Sequence, residues 1–91
     1  MMYEVTLSPR AYEDAKRLEK SEPAAFKKAQ RFIEELKEHP TTGTGHPEPL
    51  KGKPENRWSR EITWKHRLVY RVFETEVQVE VISAYGHYDD K

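Results

Sequence analysis

The sequence contains no cysteine, which excludes both a disulfide framework and a thiolate metal site. It also has no net charge at neutral pH, because 16 Lys and Arg residues offset 16 Asp and Glu residues. No stretch approaches the roughly 20 apolar residues of a membrane span, and the N-terminus lacks the basic start and apolar run of a secretion signal. These absences predict a cytoplasmic protein that does not associate with a membrane. The chain of 91 residues is expected to form one domain over residues 1–91.

The charge is nevertheless segregated along the chain. Residues 1–38 carry eight basic and eight acidic side chains, whereas residues 51–71 carry seven basic and two acidic ones, and seven minus two leaves a local charge of plus five. Such a segment attracts phosphate groups at short range. The residues of this segment expected to contact the phosphates of a nucleic acid are Lys51, Lys53, Arg57 and Arg60.

The first half of the chain predicts one strand and two helices. Alternating apolar residues over 3–7 indicate a half-buried strand, and Ser8 followed by Pro9 is typical of a helix start. Ser21, Glu22 and Pro23 interrupt the helical pattern and offer a second N-cap with an early proline. Apolar residues recur at helical spacing at Tyr12, Ala15, Leu18, Phe26, Ala29, Ile33 and Leu36. Two antiparallel amphipathic helices are therefore expected.

The second half predicts a loop followed by three strands. The prolines and glycines of residues 41–57 indicate an ordered but irregular loop. Alternating patterns predict strands over 58–63, 67–73 and 77–82, with a turn at 74–76 and a tail from 84 to 91. The β-α-α-β-β-β order predicts an α+β domain in which both helices pack on one face of an antiparallel sheet of four to five strands.

The alternation within strand 67–73 predicts what lies on each face of this sheet. The residues expected to meet the helices are Leu68, Tyr70 and Val72. Arg67 and Arg71 are then left on the uncovered face, where the loop bearing Glu48 and the tail bearing His87 can both reach.

Four motifs occur in a fixed order: GTGHPEPLKG, WSREI, HRLVYRV and a near-terminal GHY. Together they resemble the YoeB/Txe branch of the RelE superfamily, the toxin components of bacterial type II toxin–antitoxin systems. The resemblance implies a RelE-like fold and a ribosome-dependent mRNA endonuclease that inhibits translation in the bacterial cytoplasm. It implies as partners a cognate YefM-like antitoxin, the ribosome and the mRNA in its A site, and it leaves open whether the free toxin forms a homodimer.

The resemblance also assigns roles to four residues. Glu48 matches the family's general base, Arg67 its transition-state arginine, His87 its general acid, and Tyr88 its substrate-contacting aromatic. These residue types suit the chemistry, because RNA supplies its own nucleophile, the 2′-hydroxyl. A metal-free ribonuclease then needs only a base, a cation for the developing charge and an acid for the leaving oxygen. No cofactor is expected, and four scattered histidines without close ligand spacing do not predict a metal site.

Other interpretations of the same residues stay open at this point. Glu48 also fits a solvated loop acid, Arg67 a solvent-facing strand residue, and His87 a surface residue near the terminus. The domain as a whole also fits an inactive module that only binds an antitoxin, or a small-molecule hydrolase that reuses the fold. Two positions differ from the basic residues that relatives commonly carry, namely Tyr85 and Glu61.

Overall fold

A computed structural model describes residues 2–50 and 56–86 of the chain. In chain order its elements are β1 (Glu4–Leu7), α1 (Pro9–Ser21), α2 (Pro23–Leu36), β2 (Glu48–Pro49), β3 (Arg57–Glu61), β4 (Arg67–Phe73) and β5 (Gln78–Ser83). The strands form one sheet of five in the spatial order β1-β5-β4-β3-β2. Among the described residues, neither helix is long and apolar enough to cross a membrane.

The predicted α+β architecture is confirmed, and the pairing of β1 refines it. The pairs β2–β3, β3–β4 and β4–β5 are antiparallel. β1 instead runs parallel to β5, with Glu4 opposite Gln78 and Leu7 opposite Val81. In sequence, the two helices separate β1 from the remaining strands. In the sheet, β1 pairs with β5, the last strand, and not with β2, the strand that follows the helices. The sheet is therefore mixed and not wholly antiparallel.

The hydrophobic core lies between the helices and one face of the sheet. Its buried residues include Ala11, Leu18, Ala25, Ala29, Phe32 and Leu36 from the helices, and Ile62, Leu68, Tyr70, Val72, Val79 and Val81 from the strands and their connections. The predicted two-sided character of β4 is confirmed, because alternate residues of this strand enter the core. Arg67 and Arg71 belong to the opposite face, which we call the outer face of the sheet.

The two helices begin in different ways. The hydroxyl of Ser8 accepts a hydrogen bond from the Ala11 N–H at 3.0 Å and donates one to the Ile82 carbonyl at 2.8 Å, so the predicted N-cap also ties α1 to β5. The second N-cap is Glu22, whereas Ser21 is the last residue of α1. The Glu22 side chain makes no capping hydrogen bond and contacts His66 instead.

Several element boundaries differ from the sequence prediction, and the strand predicted over 58–63 is observed as Arg57–Glu61. The loop predicted over 41–57 contains the short strand β2, because Glu48 and Pro49 pair with Ser59 and Trp58 of β3. The final strand begins at Gln78 and not at residue 77, since Val77 has a positive φ of 55° and belongs to the preceding turn.

Candidate active site on the outer face of the sheet

Glu48 and Arg67 meet on the outer face of the sheet. A carboxylate oxygen of Glu48 lies 3.6 Å from Nη1 of Arg67, and the same Nη1 donates to the hydroxyl of Ser59 at 3.4 Å. The Glu48 side chain is 54% exposed, whereas that of Arg67 is only 22% exposed. The convergence predicted from strand parity is confirmed for this pair. An accessible carboxylate beside a largely covered guanidinium can accept a proton next to a fixed positive charge.

Strand pairing fixes the position of Glu48. Glu48 is opposite Ser59, which is itself opposite Val69, so three adjacent strands place these residues in one row across the sheet. After β2, the Leu50 N–H donates to the Arg57 carbonyl at 2.9 Å, and the Leu50 side chain is buried. Although β2 has only two residues, the backbone at Glu48 is fixed by the pairing of β2 with β3 and by the hydrogen bond of Leu50.

Arg60 does not belong to this face, and its predicted contact with RNA is wrong. Its side chain is completely buried, and it lies on the same side of the strand as Trp58 and Ile62, which is the side toward the helices. The guanidinium is Tyr70's neighbour, with Nε donating to the Tyr70 hydroxyl at 3.1 Å. A buried guanidinium cannot reach an external phosphate, so Arg60 has a structural role.

Arg60 instead holds the segment that leads to β2. Its two terminal nitrogens donate to a carboxylate oxygen of Glu35 and to the carbonyls of His39, Thr42 and Thr44, the last two at 2.8 and 3.3 Å. The same segment passes close to the core at Gly45, which has a φ of 80°. A side-chain carbon there would lie 2.6 Å from the Phe32 ring, so both conformation and space require glycine.

The hydrogen bonds around Glu35 determine its ionisation. Burial raises the pKa of this carboxyl group, but hydrogen bonds from the Thr44 side chain and N–H and from Arg60 outweigh burial, and the pKa lies below its ordinary value of 4.5. Glu35 is therefore ionised at neutral pH and compensates the buried charge of Arg60.

We expect the protein to lose stability in acid through this carboxylate. Because the folded-state pKa is lowered, the stabilisation is complete above the unfolded-state pKa of about 4.5 and is lost as the pH falls through the lower folded-state value. Urea unfolding at a series of pH values measures the effect. Glu35→Gln should flatten the acid side of the profile, whereas Glu13→Gln, which changes an exposed carboxylate on α1, should keep the wild-type slope. Equal slopes for both variants and wild type would contradict this explanation.

Two further arginines extend the positive charge of the outer face. Arg57 of β3 is directly opposite Arg71 of β4, and the Arg71 guanidinium lies 4.6 Å from the centroid of the Phe73 ring. Both arginines are half-buried. The predicted RNA-contacting residue Arg57 is thus on the same face as Glu48 and Arg67. Three arginines on one face favour an anionic ligand, although Glu61 opposite Arg67 and Glu80 opposite Arg71 reduce the net positive charge of this face.

Four of the predicted site residues lie outside the described residues: Lys51, Lys53, His87 and Tyr88. The described chain ends at Gly86, whose carbonyl accepts a hydrogen bond from the Arg67 N–H at 2.9 Å. The residue that precedes His87 in the sequence is therefore next to Arg67.

Ser59 and Glu22 have contacts that the sequence analysis did not anticipate. Ser59 is fully buried between the strands that carry Glu48 and Arg67, and its hydroxyl accepts from Arg67. Parity offered a signal for Ser59, since it alternates with Trp58 and so belongs to the outer face. Glu22 contacts His66, 44 residues away, and no local pattern indicates that contact.

A pair of helices packed on a five-stranded mixed sheet is the RelE-like toxin fold, as in the structures to which this chain is similar. Residues 7–88 match the model of the YoeB-like toxin of bacterial type II toxin–antitoxin systems. The chain belongs to this family and is the toxin component of such a system.

Individual relatives agree over nearly the whole chain. Toxin YoeB of Streptomyces coelicolor is 36% identical over 84 residues, which are 92% of this chain and 98% of the relative. A YoeB/ParE toxin structure from Agrobacterium tumefaciens is 34% identical, with a TM-score of 0.84 over 93% of this chain and 99% of the other. A YoeB dimer and a YoeB–YefM complex, both from Staphylococcus aureus, are 30% identical, cover 97% of this chain and 100% of theirs, and have TM-scores of 0.81 and 0.78.

Proposed function

We propose that this toxin is an endoribonuclease that cleaves mRNA on the ribosome and so inhibits translation. The observation that carries the proposal is the pairing of Glu48 with Arg67 at 3.6 Å on an arginine-rich face. An exposed carboxylate can remove the proton of a ribose 2′-hydroxyl, and an adjacent guanidinium can stabilise charge on the phosphate that this oxygen attacks. The resemblance of the GHY motif supports His87 as the acid and Tyr88 as a substrate contact.

The proposed reaction is an internal displacement at phosphorus. Glu48 takes the 2′-hydroxyl proton while the 2′-oxygen forms a bond to phosphorus. The bond from phosphorus to the 5′-oxygen of the next nucleotide breaks, and His87 gives that oxygen a proton. Arg67 stabilises the additional negative charge on the non-bridging oxygens. The products are a 2′,3′-cyclic phosphate and a 5′-hydroxyl, and the reaction consumes no water in this step.

The openness of the site supports a role for the ribosome. Glu48 is more than half exposed at 54%, so the described surface does not enclose an RNA strand around it. General acid and base catalysis typically contribute about 10²- to 10⁴-fold, and accurate placement of the reacting groups must supply much of the rest. We propose that the ribosome presents A-site mRNA to this face, that Arg57, Lys51 and Lys53 contact RNA phosphates, and that the toxin acts in the bacterial cytoplasm.

A YefM-like antitoxin is the proposed inhibitor. The staphylococcal YoeB–YefM structure supports this partner class, since that toxin is similar over 97% of this chain. We propose that the antitoxin covers the outer face and keeps RNA from Glu48 and Arg67. The YoeB dimer of the same organism supports a homodimer as the free form.

Growth after induction in a host without the antitoxin tests the proposed function. The wild-type chain should stop growth and produce new mRNA 5′ ends within translated regions, whereas Glu48→Gln should do neither at equal protein level. The alternative function, an inactive module that mainly binds an antitoxin, predicts no new mRNA ends with either chain. New ends of equal abundance with both chains would remove Glu48 from the mechanism.

A further inference from the structure

The side chain of Glu22, at the junction of the helices, is directed to His66. A carboxylate oxygen of Glu22 lies 2.8 Å from Nε2 of His66, and Nζ of Lys65 lies 3.4 Å from the same oxygen. The hydrogen bond from His66 has the largest effect on the pKa of Glu22, and together with the charge of Lys65 it lowers this pKa below its ordinary value of 4.5, although burial acts in the opposite sense. Glu22 is therefore an ionised acceptor at neutral pH.

The other ring nitrogen of His66 holds the end of the described chain. Nδ1 of His66 lies 2.9 Å from the backbone nitrogen of Gly86. A backbone N–H can only donate, so Nδ1 is the acceptor and the imidazole proton of the neutral ring is on Nε2, where it is donated to Glu22. His66 is 3% exposed, and both of its nitrogens are occupied. It therefore cannot replace His87 as the acid that reaches an RNA oxygen.

Gly86 is held on its other side by the strand that carries Arg67. Its carbonyl accepts from the Arg67 N–H at 2.9 Å, and its φ of 79° lies in the left-handed region that favours glycine. Apart from its neighbours in the chain, no atom of the described residues lies within 4 Å of the position that a side-chain carbon would occupy, so the backbone conformation is what favours glycine here.

The two preceding residues are also attached to α1 or to His66. The Ala84 N–H donates to a carboxylate oxygen of Asp14 at 2.9 Å. The Tyr85 ring lies 4.4 Å from the His66 ring and has the Arg17 guanidinium 4.1 Å from its centroid. The three residues that follow β5, of which Gly86 is the last described residue, thus all have specific partners.

We propose that Glu22 and His66 are positioning residues, which together fix Gly86 beside Arg67 and so set the point from which the segment bearing His87 and Tyr88 begins. This inference rests on the proposed function, because it assigns the purpose of the arrangement to delivery of the acid. Glu22 fixes the tautomer and orientation of the His66 ring, and the ring in turn holds the Gly86 N–H. Neither residue needs to touch the RNA.

Two substitutions of His66 separate positioning from general stability. In His66→Asn the side-chain oxygen can take the place of Nδ1 and accept from Gly86, whereas in His66→Gln the side chain reaches the place of Nε2 and can donate to Glu22 but leaves Gly86 unbound. Both changes remove the ring that packs on Tyr85, so both are expected to lower the thermal unfolding midpoint similarly.

The measured quantities are kcat and KM for mRNA cleavage on programmed ribosomes, below the unfolding transition of each variant. His66→Gln should lower kcat about 10- to 100-fold with little change in KM, since small displacements of a catalytic group have costs of this order. His66→Asn should retain most of the wild-type kcat. Equal losses of kcat in the two variants, or a wild-type kcat in His66→Gln, would overturn the proposal.

Nuclear magnetic resonance of the ¹⁵N-labelled wild-type protein gives a second test that does not depend on cleavage. The His66 nitrogen shifts should show the proton on Nε2, and a scalar coupling should connect the Gly86 amide nitrogen with Nδ1. A proton on Nδ1 would overturn the proposal. If the wild-type protein showed this coupling yet cleaved no mRNA, the proposed function and the delivery of the acid would fail, while the attachment of Gly86 would stand.

Discussion

Single-turnover cleavage of ribosome-bound mRNA should fall at least about 100-fold in Glu48→Gln, because the amide keeps the size of the side chain but cannot accept the 2′-hydroxyl proton. The backbone of Glu48 is held by its pairing with Ser59, so the change should leave the fold intact. The side chain is exposed and has one ion-pair partner, Arg67 at 3.6 Å, among the contacts described above. The expected loss is therefore in the chemical step and not in stability.

Glu13→Gln is the matched control for this measurement. It makes the same chemical change at an exposed position on α1, and the helices pack on the opposite side of the sheet from Glu48. Its cleavage rate should equal that of the wild type. A wild-type rate in Glu48→Gln would exclude Glu48 as the base, and equal losses in the two variants would point to an effect of net charge on ribosome binding.

The free energy of unfolding should fall by at least about 3 kcal/mol in Arg60→Ala, measured by urea denaturation. The substitution removes a fully buried guanidinium that makes five hydrogen bonds to described residues. It leaves the carbonyls of His39, Thr42 and Thr44 without this donor and the Glu35 carboxylate without its positive partner. Small domains have total stabilities of about 5–15 kcal/mol, so a loss of this size is a large part of the whole.

Arg31→Ala is the control for Arg60→Ala, since it removes an arginine from the exposed surface of α2. It should change stability by no more than about 0.5 kcal/mol. Arg60→Lys keeps the charge but presents one ammonium group in place of the planar fork, and it should also destabilise the protein substantially. A stability of Arg60→Ala within error of Arg31→Ala would mean that the buried network contributes nothing to folding.

Strand alternation predicted the most important feature of the site from sequence. The two-residue period of β4 separates Arg67 from the core residues of the same strand. This alternation was sufficient to predict that Arg67 lies on the same face as Glu48. The N-cap at Ser8 was also predictable, because capping depends on residues a few positions apart. Features that depend on local spacing were thus accessible without a structure.

The prediction for Arg60 was wrong because it followed the charge of the residue and not its position in the strand. Alternation along β3 places Arg60 on the same face as Trp58 and Ile62, which the structure shows to be the face toward the helices, yet the charge of Arg60 favoured an external phosphate as its partner. Its actual partners are Glu35 and the carbonyls of residues 39–44, which lie 16 to 25 residues away in the chain. A buried charge is stable only where such partners converge, and convergence is a property of the tertiary fold.

The remaining features that the sequence did not predict depend on contacts between residues far apart in the chain. The parallel alignment of β1 with β5 joins the two ends of the chain, and nothing in either strand's own pattern specifies that direction. The contact of Glu22 with His66 likewise spans 44 residues, and the hydrogen bond from the Gly86 N–H to His66 spans 20. From the sequence, Glu22 is an acidic residue at the junction of two helices. Only the folded structure shows that it contacts His66.

The chemical identity of the RNA ends shows whether the 2′-hydroxyl is the nucleophile and whether Glu48 is its base. Programmed ribosomes carrying mRNA are incubated with the wild-type toxin or with Glu48→Gln, and the fragments are analysed for their terminal groups before any enzymatic treatment. Attack by the 2′-hydroxyl predicts a 2′,3′-cyclic phosphate on the upstream fragment and a 5′-hydroxyl on the downstream fragment, both absent with Glu48→Gln. A 3′-hydroxyl together with a 5′-phosphate would contradict the proposed chemistry.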